Sequence, residues 1–202
     1  MEEWIINNKK VTFDEACHQY EVNGKKCISV TQLLKFKYPR KYEGISNHVL
    51  QAKAKVGTEL HNAIEIYETY GIERNDLIEF RNYKFLKKRF KWWVEESEVP
   101  ILLEYKDLYV CGRLDQVQKL LNEKVGCSVG LADIKHTSSL DKEYLAYQLN
   151  LYRLGYIQSY NRPVDFLKGI HLNRDDRKYV DIPINENIAY ELLEDYINEK
   201  SE

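Results

Sequence analysis

The chain has 202 residues, 44% of them hydrophobic and 31% charged, enough apolar material for one sizeable core and no Pro/Gly/Ser-rich stretch to divide it. No apolar run approaches the ~18 residues of a membrane helix, and Met1-Glu-Glu-Trp-Ile5 lacks the basic start and apolar stretch of a signal peptide, so a single cytoplasmic domain is expected. Cys17, Cys27, Cys111 and Cys127 form no Cys-x-x-Cys pair and no His/Cys zinc spacing, which predicts reduced thiols, and a formal net charge of −2 gives no global attraction to nucleic acid.

In chain order, Val11 to Val30 alternates in strand fashion around Asn23-Gly24, a pair suited to a two-residue hairpin turn. Ser29 or Thr31 is placed to cap a short helix through Leu34. A helical pattern then runs from Asn47 to Tyr70 and stops at Gly71, where a left-handed residue is expected. Asp76 to Glu96 reads as a second long amphipathic helix, with Leu77, Phe80, Tyr83, Leu86, Phe90 and Trp93 at three- and four-residue spacing. Two or three strands follow between Val99 and His136. A helix begins at Asp141, strands cover Phe166 to Leu172 and Tyr179 to Ile184, and a closing helix spans Asn185 to Glu199.

The chemistry concentrates between residues 112 and 152. In Val129-Gly-Leu-Ala-Asp-Ile-Lys-His136, Asp133 and Lys135 are two apart, so a strand projects both from one face while Ala132 and Ile134 enter the apolar layer behind. Asp115, in Gly112-Arg-Leu-Asp-Gln116, lies near the C-terminal end of the apolar segment Ile101 to Val117. If that segment pairs with Val129 to His136, the two carboxylates converge on one divalent cation. Gln148 and Tyr152 are i and i+4 on the following helix and share a face. Taken singly these patterns are weak, because an isolated Asp-x-Lys is usually a surface ion pair. Basic residues cluster at Lys35 to Lys41, at Lys53 and Lys55, and at Lys84 to Lys91 beside Trp92 and Trp93, a composition able to follow a phosphate backbone and stack bases.

The succession Gly-x-x-Asp, apolar-Asp-Ile-Lys and Gln-x-x-x-Tyr, with His61 upstream in Val56-Gly-Thr-Glu-Leu-His-Asn-Ala-Ile-Glu65, resembles the RecB-like branch of the PD-(D/E)XK nuclease superfamily. Cys27-Ile-Ser-Val-Thr-Gln-Leu-Leu34 is similar to the element preceding the His helix in phage exonucleases and the mitochondrial genome-maintenance exonuclease. The likeness spans about residues 11 to 160.

The resemblance implies an α/β fold with a restriction-endonuclease-like core: a mixed central sheet flanked by helices, with an N-terminal hairpin and helical extension. It implies one nuclease domain over 1–202, divided into a hairpin and short helix (1–47), a helical arch region (48–98) and a catalytic sheet with helices (99–202). Asp115, Asp133, His61 and the backbone carbonyl of Ile134 would hold Mg²⁺ or Mn²⁺. Lys135 would stabilise phosphate charge, Gln148 and Tyr152 would order the site, and Glu65, one turn from His61, would orient its imidazole.

Lys53, Lys87, Lys88 and Trp92 are the expected DNA contacts. Some relatives carry an iron–sulfur cluster on one upstream and three C-terminal cysteines; no cysteine follows Cys127, so no cluster is expected. The implied activity is a metal-dependent DNA exonuclease of phage or prophage type, acting on single strands or free ends, with a phage recombinase or single-strand-binding protein as possible partner. A structure-specific endonuclease, and a catalytically weak binding module on the same fold, are the alternatives.

Overall fold

The computed structural model describes residues 1–122 and 126–201. The N-terminus is an antiparallel meander of β1 (Glu2–Ile6), β2 (Lys9–Asp14), β3 (Gln19–Val22) and β4 (Lys25–Ser29). The expected Asn23-Gly24 turn joins its last two strands, both residues in the left-handed region at φ 50 and 77; β1 was not anticipated. Ser29 ends β4 and caps α1 (Val30–Lys37): its hydroxyl accepts from the Gln32 N–H at 3.1 Å while the Gln32 side chain accepts from the Ser29 N–H at 2.8 Å.

Helix α2 (Asn47–Tyr70) has the expected bounds and stops at Gly71 with φ 71. The next helix is shorter than its periodicity suggests. α3 (Ile78–Phe90) ends where Lys91 turns left-handed at φ 58, and Trp93 begins β5 (Trp93–Tyr105). Trp93 causes the misreading: its spacing continues the helical stripe, yet it opens β5 and is 40% exposed, while its neighbour Trp92 stacks on Tyr179 at 4.4 Å between ring centroids and is 2% exposed.

The apolar segment Ile101 to Val117 is likewise two strands, since Tyr105 pairs with Leu108 across a tight turn into β6 (Leu108–Asn122). β7 (Gly126–Lys135), α4 (Lys142–Tyr160, capped by Asp141), β8 (Phe166–Leu172), β9 (Arg177–Ile182) and α5 (Glu186–Ser201) complete the chain.

The result is a mixed α/β fold: nine strands in one sheet and five helices among the described residues. One face carries α1, α4 and α5 over a core that includes Leu34, Ile101, Leu114, Leu131, Leu149 and Leu192. The other carries α2 and α3, with Leu60, Ile64, Phe80 and Tyr83 packed on Ala132, Ile134 and Ile170. α3 is therefore part of the body, packed against β8 and β9, and does not stand over the sheet as an arch. The meander closes a third cluster against Leu102 and Cys111. No described helix is long and apolar enough to cross a membrane.

One irregularity positions the site. β5 pairs along one edge of β6, while the opposite edge is shared: β4 runs parallel to it at Val110 and Cys111, and β7 runs antiparallel to it from Gln116 onward. Between them Gly112 to Asp115 has no strand partner on that edge, because β4 has turned into α1 and β7 has left to pair with β8. Such a fork leaves backbone groups without ladder partners, and side chains must supply them.

Candidate metal centre

Asp115 fills the fork. Its Oδ2 accepts from the Ile134 N–H at 2.6 Å, just where β7 has parted from β6 at the Gln116–Ala132 pair. The expected pairing of the two strands thus brings Asp115 beside Asp133 and Lys135. Ala132 and Ile134 enter the α2–α3 core, so Asp133 and Lys135 point to the α4 side, as period two requires. Asp133 is 2% exposed, and Lys135 Nζ lies 2.6 Å from its Oδ2 in a largely buried ion pair.

His61 enters from α2. Its Nε2 lies 3.2 Å from the carbonyl oxygen of Ile134, and its Nδ1 lies 3.6 Å from Asp115 Oδ1 and 3.9 Å from Glu98 Oε1. Glu98 was not anticipated. One atom each from His61, Glu98 and Asp115 lie within 4.8 Å of one another, a group that could hold a metal ion. Glu65 lines the same recess of about 290 Å³, but the carboxylates against the imidazole are those of Asp115 and Glu98.

Sequence spacing could not reveal Glu98. It stands opposite Asp115 only through the β5–β6 register, in which Ser97 meets Gln116 and Val99 meets Leu114.

Burial and charge act against each other here. Burial alone would strip the proton from His61, yet Asp115, Glu98 and Asp133 outweigh it and hold the imidazole's pKa up at about 9. Burial pushes the Asp133 carboxyl up to about 6 against the pull of Lys135, and keeps Asp115 above its ordinary value against His61. Burial also opposes the charge on Lys135, but Asp133 and then Asp115 prevail and raise its pKa.

A cluster of carboxylates this poorly solvated, gathered on one imidazole, matches what a hard divalent cation needs: oxygen donors and a single nitrogen. Behind it, Tyr152 is 5% exposed and packs on Gly112, where an added Cβ would lie 2.7 Å from the ring. Gln148, one turn earlier, is 7% exposed and its Oε1 has no partner. Both occupy the face that their i, i+4 spacing predicts.

The expected DNA contacts fare unevenly. Trp92 is enclosed by Tyr83 and Tyr179 and offers no ring to a base, which corrects its assignment to the surface. Lys87 pairs with Glu68 and lies over the Tyr67 ring, so its charge is largely spent within the protein. Lys88 and Lys53 are exposed. Lys53 lines a groove of about 810 Å³ between the first half of α2 and His136–Ser138, directly after the strand that ends in Lys135.

No family model and no curated protein matches the chain. Among the solved structures that do, the crystal structure of SSO0001 is 20% identical over 85% of this chain and 74% of that one, with a TM-score of 0.46. A likeness at that level carries no argument about function.

Proposed function

We propose that the protein is a Mg²⁺- or Mn²⁺-dependent deoxyribonuclease with a PD-(D/E)XK core, acting as an exonuclease on DNA ends. The observation that carries this reading is the fork between β6 and β7, where Asp115, Asp133, Lys135, His61 and the Ile134 carbonyl meet. Asp115, Asp133, Glu98, His61 and the Ile134 carbonyl are the groups that would hold the cation. When bound, it supplies the Lewis acidity that phosphodiester hydrolysis requires.

The chain's own groups do the rest. Asp115 keeps β7 in place through the Ile134 N–H. Lys135, restrained by Asp133, offers an ammonium to the charge that grows on a phosphate. Gln148 Oε1, buried without a partner, can accept a hydrogen from a water or from that ammonium and so fix its direction. Tyr152, seated on Gly112, keeps the α4 face in register with the fork.

A nuclease panel tests this: end-labelled linear single strand, linear duplex and closed circle, each with Mg²⁺, Mn²⁺ or EDTA. Degradation of linear substrates with either ion, none in EDTA and survival of the circle are expected. Cutting of the closed circle would assign an endonuclease, and no cleavage of any substrate would leave a binding module.

A further inference from the structure

We propose that Arg113, held by Glu2 of the N-terminal meander, is a positioning residue that presents Glu98 to the cation, so that β1 is a working part of the metal centre. The inference rests on the reading that His61, Glu98 and Asp115 hold a divalent ion. Three observations carry it.

The first is backbone conformation. Glu98 sits at φ 53, left-handed, between neighbours that pair regularly with β6. A residue with a Cβ keeps that conformation only where its surroundings impose it.

The second is the division of labour between its two oxygens. Arg113 Nε lies 2.8 Å from Glu98 Oε2, while Oε1 is the oxygen facing His61 Nδ1 at 3.9 Å. Arg113 occupies one oxygen and leaves the other for the site. Arg113 and Asp115 stand two apart on β6, hence on one face, with Glu98 across from them on β5.

The third is that Arg113 is itself held. Its Nη1 donates to Glu2 Oε1 at 2.9 Å and Oε2 at 3.2 Å, and its guanidinium lies 5.7 Å from the centroid of the Phe13 ring. Glu2 and Phe13 belong to β1 and β2 and face each other in their register. Holding two carboxylates with nitrogens fixed in one plane is a task for a guanidinium rather than an ammonium.

Coulomb's law makes the proposal decidable, because a bare positive charge near a cation site weakens cation binding. If Arg113 acted only as a charge, its removal would tighten Mn²⁺ binding. If it positions Glu98, its removal must loosen binding even though repulsion is relieved.

The experiment is Mn²⁺ titration of the full chain by electron paramagnetic resonance, without nucleic acid, with unfolding midpoints in EDTA as the folding control. Arg113→Ala and Arg113→Lys are expected to weaken Mn²⁺ binding at least about tenfold, the usual effect of losing a group that orients a metal ligand. Glu2→Ala should weaken it less, in the same direction, and Glu98→Gln at least as much as Arg113→Ala. Should Arg113→Ala fail to fold, Arg113→Lys and Glu2→Ala decide the matter. Binding by Arg113→Ala that equals or exceeds wild type overturns the positioning role, as does wild-type affinity in both Arg113→Lys and Glu2→Ala. If wild type binds Mn²⁺ while Glu98→Gln is unaffected, the Glu98 assignment and the positioning role of Arg113 fall together, and the metal reading stands on His61 and Asp115. No Mn²⁺ binding by wild type overturns the metal reading and this one together.

Discussion

Cation binding at the fork should expel a proton, and the proton should come from His61. With its pKa held at about 9 by the surrounding carboxylates, the imidazole is charged at neutral pH when no metal is present. An imidazole must give up its proton to bind a metal. At pH 7, two units lower, only about one molecule in a hundred carries neutral His61, so freeing the imidazole costs about 2.7 kcal/mol. Apparent affinity for Mg²⁺ or Mn²⁺ should therefore rise about tenfold per pH unit from 7 toward 9 and level off above it.

Stability without metal should run the other way. A histidine whose folded pKa exceeds its ordinary value stabilises the fold fully below about 6.5, and that contribution disappears as pH climbs through about 9. The unfolding midpoint in EDTA should accordingly fall across this window. The assay is titration calorimetry at pH 7.5 in two buffers of different ionisation enthalpy, which counts protons released per cation. Nearly one proton is expected from wild type and almost none from His61→Ala. Fewer than about 0.2 protons from wild type, or an affinity flat between pH 7 and 8.5, would refute the reasoning by showing that His61 is either neutral beforehand or not a ligand.

Lys135→Ala should reduce turnover by roughly 10²–10³-fold, the usual loss on deleting one group that stabilises a developing oxyanion, while Mn²⁺ binding in the absence of DNA persists; an unchanged rate would remove Lys135 from the chemistry. Trp92→Ala should cost about 3–5 kcal/mol of stability in urea unfolding, since the ring is stacked in the core. DNA affinity of the folded fraction should be unaltered, and selective loss of DNA binding with intact stability would return Trp92 to the surface.

What the sequence made legible, and what it hid, divides along a physical line. Asp133 and Lys135 were readable because strand period two is rigid, and Gln148 and Tyr152 because the helical i, i+4 relation is local. Gly71 and Ser29 announced helix ends by their own conformational and capping chemistry. Glu98 and Arg113 follow no local rule. Their meeting depends on the register of β5 against β6, shifted by the irregularity between Val94 and Glu96, and on a left-handed residue that composition does not foretell. Trp92 failed for a related reason: beside five basic residues it reads as a nucleic-acid contact, and only the arrival of Tyr179 from β9 turns it inward.

The same locality explains why a chain of net charge −2 can belong with DNA under the proposed reading. With its carboxylates ionised and no metal, the fork holds Asp115, Asp133, Glu98 and the Glu2 that pairs with Arg113 against Lys135, Arg113 and protonated His61, four negative charges against three positive. Exchanging the His61 proton for a divalent cation removes one positive charge and brings two. The cluster then loses its net negative charge in a half-buried recess, where screening by salt is weak. Focusing of this kind acts on a phosphodiester at the fork and needs no excess of positive charge over the chain as a whole. Attraction for the substrate is thereby created by loading of the site, so that DNA and cation each strengthen the binding of the other. A globally basic surface would hold DNA whether or not the site could act on it; a fork that sheds its negative charge only when loaded confines tight binding to the state able to cut.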